Sequence, residues 1–574
     1  MKDLILREIK QYKSAFLLAP LFMILSGVLE TEIPMMMTHI IDDGISANNL
    51  QAVWKWGAYI LVLSVGTLIF AILGYLQSAK ASTGLAANLR QAVFGKVQTF
   101  SFANLDKFGV SSLVTRTMTD VTNIQNMAQT ILTSFFKTPV SVIYALYLTA
   151  TLNKKLSLVL LIGVVIIAVF LTLIIKKTIP MYQKVYQDYD KLNGKVQENV
   201  TGIRIVKSFA KEKTECKEFD VPASAVRKGF IKVEKIQAFN NPVMMLALEF
   251  CFIGISWIGA KYISVGEMST GNLAGFINYA FQIMTYISTL VLSFVLVSSS
   301  LASIKRVKEV LSENPILVED ENPVTEMPDD AIRFSHVSFR YGQGQGKNVL
   351  EDIDLSIRSG EMIGIIGATG SSKTSFINLI SRLYDATEGT VTIGGVDVRK
   401  YSMKTLSDQI AVVLQKNVLF SGTIIENLRW GKPDATLEEC EAACRMACAD
   451  GFIREKEKQY EEYIEQGGAN LSGGQRQRIC LARALIRKPK ILILDDALSA
   501  LDTETESTIR ATLRNEMPEM TKLIITQRVG SIQDADRILI LDKGRINGFD
   551  THEALLKTNA IYRDLCGVAG KESA

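Results

Sequence analysis

Hydrophobic and polar positions are distributed in two distinct patterns along the chain. In the first half, long uncharged apolar runs recur. Residues 57–76, GAYILVLSVGTLIFAILGYL, carry no charge, and neither do 156–175, LSLVLLIGVVIIAVFLTLII, which are closed by Lys176 and Lys177. Residues 271–304 hold no Asp, Glu, Lys or Arg. A bilayer core about 30 Å thick takes about 20 such residues as a helix. Three further runs, 15–37, 131–152 and 241–263, are each interrupted by a charge. The pattern therefore predicts six membrane helices, at about 15–37, 57–76, 131–152, 156–175, 241–263 and 271–300. The connections 77–130 and 179–240 are basic, and their apolar residues keep a helical period, as in ASTGLAANLRQAVFGKVQTF. They read as spans continuing as helices into the cytosol. The first outer loop is read as acidic, with Asp42 and Asp43. Basic residues mark the cytoplasmic side, so both termini and both long connections are expected there.

From residue 312 the pattern changes. A polar, proline-containing stretch, SENPILVEDENPVTEMPDD, reads as a linker over 312–330. Short apolar runs then alternate with helical periods, as in an α/β domain. The expected organisation is a membrane α-helical domain at 1–311, the linker, and an α/β domain at 331–574.

Composition fits this division. Mean hydropathy is above zero, yet 21% of the 574 residues are charged. The formal net charge of +4 gives no reason to expect a nucleic-acid partner. The 7 cysteines show no C-x-x-C pair, which argues against zinc and a disulfide framework. Cys440, Cys444 and Cys448 share one helical face and read as core packing. The start, MKDLILREIKQYK, lacks the pattern of a cleaved signal peptide. Short outer loops and a disulfide-free cytoplasmic half fit a multi-pass protein of a bacterial inner membrane.

Charges inside spans are functional candidates by default. Glu30 and Glu32 lie in the first span beside Pro34, Lys137 lies in the third, and Glu249 lies in the fifth. Two readings stay open: Glu30, Glu32 and Glu249 line a cavity for cationic amphiphiles, or they are structural carboxylates paired within the bundle or near its edge.

The second half carries phosphate chemistry. In MIGIIGATGSSKTSFINLI, residues 362–380, an apolar strand meets a small-residue loop and then a helix. Backbone N–H groups of Gly367, Ala368, Thr369, Gly370, Ser371 and Ser372 can surround phosphates, Lys373 can neutralise them, and the Thr374 hydroxyl can ligate Mg2+ beside Ser375. The usual glycine before the lysine is Ser372 here. A second apolar strand, ILILDD, delivers Asp495 to the magnesium shell and Asp496 next to it. Between them, LSGGQRQRICLARAL opens a basic helix with Ser472, Gly473 and Gly474, a second anion site.

Residues 331–574 resemble the nucleotide-binding domain of ATP-binding cassette (ABC) transporters. The phosphate loop at 367–374, Gln415 in VVLQKNVLF, LSGGQ at 471–475, Asp495 and SALD at 499–502 stand in that family's order. The whole chain resembles the family's exporter-type, multidrug-exporter-like half-transporters, which dimerise. The resemblance implies that ATP is held by Tyr341 on adenine, by the phosphate loop and Gln415, and, from across a dimer interface, by Ser472, Gly473, Gly474, Gln475 and Asp502. It implies Mg2+ on Thr374, Gln415 and Asp495. It also implies coupling elements at 111–121 and 199–212, and, as partners, membrane lipid and a small amphipathic substrate. Three positions depart from the family pattern: Ser372 for glycine, Asp496 for the usual catalytic glutamate, and Gln527 in LIITQRVGS for the usual histidine. An impaired pocket with an intact signature implies the degenerate-site subunit of a heterodimer. A homodimer using Asp496 as base, and an ATP-gated channel or regulatory subunit, are the alternatives.

Overall fold

The computed structural model describes residues 10–342 and 346–567. They form two compact units, one of residues up to Gln98 with Ser111–Glu313, the other of Thr99–Val110 with the residues from Asn314 onward.

The first unit contains six helices long and apolar enough to cross a membrane: α1 (Lys10–Ser46), α2 (Leu50–Gln98), α4 (Val110–Leu152), α5 (Lys154–Thr201), α7 (Glu212–Ser264) and α8 (Thr270–Ser312). Each contains one of the six expected spans and runs beyond it. Small residues let α1 and α2 pack closely. Ala15, Ala19 and Ser26 on α1 are buried, as are Gly74, Ser78, Ala81 and Ser82 on α2. A Cβ on Gly74 would stand 2.6 Å from Met23 Sδ. A second core gathers Ala145, Leu156, Ile255, Phe276 and Tyr279 from α4, α5, α7 and α8. The outward face of α2 carries Leu61, Val62, Leu68 and Ile69, all exposed, as a lipid-facing surface requires. Farther along, Asp120 is buried and accepts from Ser303 Oγ at 2.8 Å and Arg306 Nε at 2.7 Å, so its charge is fully paired.

One expectation about this unit is corrected. Asp42 and Asp43 are not in a loop; they lie in a π-helical continuation of α1, Ile40–Ser46. Asp42 caps the start of α8, accepting from Gly271 N at 2.8 Å and Ser269 Oγ at 2.5 Å. A carboxylate at a helix N-terminus satisfies donors that the helix cannot.

The second unit is built on two sheets. The four-stranded sheet has the order β2–β1–β4–β5, from β1 (Ile332–Phe339), β2 (Leu350–Ile357), β4 (Glu388–Ile393) and β5 (Val396–Asp397). The six-stranded sheet has the order β10–β9–β3–β8–β7–β6. Its members are β3 (Met362–Ile366), β6 (Ile410–Val413), β7 (Ile491–Asp495), β8 (Thr521–Ile525), β9 (Arg537–Asp542) and β10 (Arg545–Asp550). Strands β3, β8 and β7 are adjacent and parallel, and every residue in them is buried. A parallel sheet covered on both faces wants such unbroken apolar runs. Cys440 and Cys444 are buried in its flanking core, with Cys448 partly buried against it.

This unit also reclaims two segments placed elsewhere from sequence. The short helix α3 (Phe102–Phe108), between the second and third spans, packs here. Asn104 donates to Asn314 O at 3.0 Å and accepts from Ile316 N at 3.0 Å. The 312–330 stretch is docked for most of its length rather than acting as a free linker. Val324 pairs with Tyr401, Arg382 donates to Val318 O at 2.9 Å, and buried Asp330 accepts from Thr521 N at 3.1 Å. The implied coupling element at 111–121 lies within α4, in the first unit. The implied element at 199–212 contains the short helix α6 (Ile203–Ser208), which belongs to the first unit.

Candidate functional site

Three neighbouring strands end at one place, and that placement makes the site. In parallel α/β sheets, ligands bind beyond the carboxyl ends of the strands. Strand β3 runs into the loop 367–372, β7 into Asp495 and Asp496, and β8 between them into Gln527. The register sets Asp495 beside Ile525, and Ile525 beside Ile365. The ends enclose a cavity of about 320 Å³ lined by Thr369–Ser375, Gln415, Asp495, Asp496 and Gln527, among others.

Gly367 packs so tightly that a Cβ would collide with the Leu541 carbonyl oxygen. Gly370 has φ +84° and Ser372 has φ +75°. Ser372 thus keeps the left-handed backbone that a glycine would adopt without strain, and its hydroxyl makes no capping bond to α9 (Lys373–Ile380). The side chain is therefore held on a strained backbone. Ser372→Gly should remove about 1 kcal/mol of strain. The melting temperature of the purified protein should rise by about 2 °C or more. An unchanged or lower midpoint would mean that the unfolded chain gains as much freedom as the fold gains ease.

Lys373 folds over the loop, donating to Gly367 O at 2.7 Å, Ala368 O at 3.0 Å and Ser371 Oγ at 3.3 Å. Burial lowers its pKa, while Asp495 and Asp496 opposite pull it back up. Thr374 Oγ1 donates to Asp495 Oδ2 at 3.1 Å. A hydroxyl and a carboxylate at that separation, beside a lysine and a glycine loop, are the donor set that Mg2+ and a polyphosphate take. Burial raises the pKa of Asp495, with Asp496 adding to the rise. A proton therefore stays on Asp495 to a higher pH than on an ordinary aspartate, while the Thr374 hydroxyl and Lys373 oppose the rise. Gln415 Nε2 stands 3.4 Å from Asp496 Oδ2.

Other candidates lie outside this cavity. Tyr341 puts its hydroxyl 2.9 Å from Ser375 Oγ, so it touches the same helix from another side. Its ring packs edge-on to Phe339 and Tyr384 and lines a larger pocket of about 710 Å³. Tyr384 in turn donates to Asp106 Oδ2 on α3 at 2.5 Å; no motif signals that residue. The signature residues open α10 (Gly473–Leu485), where Ser472 and Gln475 form a reciprocal capping box. Asp502 caps α11 (Thr503–Glu516) through Thr505 N. Ala500 N donates to Gln477 Oε1 and Arg528 donates to Ser499 O, so the 499–502 turn ties α10 to the loop after β8. Ser472–Gln475 and Asp502 do not line the phosphate cavity of their own chain.

In the membrane unit, Glu30 is paired with Lys137 at 2.8 Å, and Glu32 accepts from the Tyr144 hydroxyl. Glu249 lies on an exposed face of α7 near Leu246 and Phe250.

A six-helix membrane unit followed by a parallel-sheet domain with this phosphate cavity defines a membrane-embedded nucleotide hydrolase. The chain matches the family described as ABC transporter transmembrane region over residues 16–287 and that described as ABC transporter over residues 350–499. It is 33% identical to the uncharacterized ABC transporter ATP-binding protein YfiB of Bacillus subtilis, over 97% of this chain and 96% of that protein. It is 31% identical to the putative ABC transporter ATP-binding protein exp8 of Streptococcus pneumoniae, over 97% and 95%. Its fold is that of a bacterial Atm1-family ABC exporter solved with ATP bound, with a TM-score of 0.81, 22% identity, and coverage of 96% of this chain and 98% of that one. The chain belongs to the ABC transporter family. It is an integral membrane protein with the transmembrane and ATP-hydrolysing parts of such a transporter on one polypeptide.

Proposed function

We propose that this chain is one subunit of an ATP-driven exporter that moves amphipathic compounds outward, paired with a second, different half-transporter. ATP would lie with its phosphates against the 367–375 loop and Lys373, and Mg2+ against Thr374, Gln415 and Asp495. The observation that carries the heterodimer is Asp496. It occupies the position of a general base, but its side chain is one methylene shorter than glutamate, and the neighbouring pocket residue is Gln527. A base must come within about 2.6–3.2 Å of its proton or act through one water. The signature at the start of α10 remains whole and would complete the partner's site. In this reading the pocket of this chain binds ATP as a slow clasp, and the partner's pocket drives the cycle.

The test is steady-state ATPase activity of the chain purified alone in lipid. The expected rate is near background, restored by adding the partner half-transporter and lost when that partner's catalytic glutamate is replaced by glutamine. A robust rate from the chain alone, abolished by Asp496→Asn, would instead establish a homodimer with Asp496 as its working base.

A further inference from the structure

The membrane unit holds three charged side chains close together, and their partners are unequal. Glu30 on α1 is neutralised by Lys137 on α4 at 2.8 Å. Glu32, two residues on, has one side-chain partner among the described residues, the neutral hydroxyl of Tyr144. Its second oxygen has none. The tyrosines of α8 are already engaged nearby: Tyr279 donates to Thr31 O at 3.0 Å, and Tyr286 lies 3.4 Å from Thr31 Oγ1. Gln282 donates to Glu30 O at 3.2 Å. With Glu30 and Lys137 cancelling, the cluster keeps one uncompensated negative charge, and it sits on Glu32.

Aromatic surface adjoins that charge. Tyr144 stacks on Tyr147, with centroids 6.2 Å apart and planes 15° from parallel, and Tyr147 is 62% exposed. A carboxylate beside an open aromatic face is the chemistry that holds organic cations with diffuse charge. Glu249 is also a carboxylate in a span, but no side chain among the described residues orients it; Glu32 is held in place by Tyr144.

We propose that Glu32 is the charge-recognition residue of the membrane unit and that the transported class carries a single diffuse positive charge, as in a quaternary ammonium or phosphonium amphiphile. Glu30 is kept out of that role by Lys137. This rests on the export reading above and narrows it.

The test uses the transporter purified from its native membrane through a tag on this chain and placed in liposomes. ATPase stimulation is read against tetraphenylphosphonium, a monocation, and Nile red, a neutral amphiphile. Wild type should respond to both. Glu32→Gln, which can still accept from Tyr144, should raise the half-maximal tetraphenylphosphonium concentration about tenfold or more, with the Nile red curve unchanged. The double variant Glu30→Gln, Lys137→Gln removes the pair but leaves the lone charge, and should keep both curves. An unmoved tetraphenylphosphonium curve in Glu32→Gln, or an equal shift of both curves, overturns the inference. A wild type that answers Nile red alone also overturns it while leaving amphiphile export standing. A wild type that answers neither probe removes the export reading and this inference with it.

Discussion

Asp496→Glu combined with Gln527→His should raise ATP turnover at the chain's own site by about 100-fold. In the proposed heterodimer, the measurement is made with the partner's catalytic glutamate changed to glutamine so that only this site can turn over. The expectation rests on how firmly the backbone of Asp496 is held. Its N–H donates to Ile525 O at 3.0 Å, and its carbonyl accepts from Ser499 Oγ at 2.8 Å. The direction of the side chain is therefore set, and its length decides its reach. One methylene is worth roughly 1.3 Å, enough to cost orders of magnitude in a positioned proton transfer. Asp496 has φ +50°, a region that aspartate tolerates better than glutamate, so the gain will be somewhat below the full difference. An unchanged rate would move the cause of slow turnover to the strained Ser372 loop.

Lys373→Ala should weaken ATP binding to the purified chain by about 10- to 150-fold, since a charge-assisted hydrogen bond contributes about 1.5–3 kcal/mol and this ammonium also faces two carboxylates. Removing it leaves Asp495 and Asp496 facing the phosphates without a cation between them, and frees the carbonyls of Gly367 and Ala368. A fluorescent ATP analogue titrated in the presence of Mg2+ reads the effect directly. A loss under tenfold would mean that the loop's backbone N–H groups hold the nucleotide largely unaided.

Much of this architecture could be read from local pattern. The second, fourth and sixth spans are visible because twenty uncharged residues admit few other fates, and β3 and β7 because a buried parallel strand is apolar on both faces. The phosphate loop and Asp495 follow from strand-to-loop grammar. What could not be read is what depends on distant partners. The Glu30–Lys137 pair joins residues 107 apart. Asp42 looks like loop chemistry until Gly271 N, 229 residues later, is seen to need an acceptor. The 312–330 stretch has a linker's composition, and the residues that hold it down, Asn104, Arg382, Tyr401 and Thr521 among them, are all distant in sequence. Helix α3 is concealed for another reason: FANLDKF keeps the helical period of its neighbours, and its separateness depends on Ser101 capping its start and on Gly109 at φ +74° ending it.

That short helix sets the order of manufacture. Asp106 leaves the ribosome 278 residues ahead of Tyr384, the side chain that donates to it. At about 5–20 residues per second, α3 waits roughly 15–55 s for the domain it belongs to. For most of that interval Asn104 has neither the carbonyl of Asn314 nor the amide of Ile316 to bond. The late-made domain thus closes around a piece of chain delivered early.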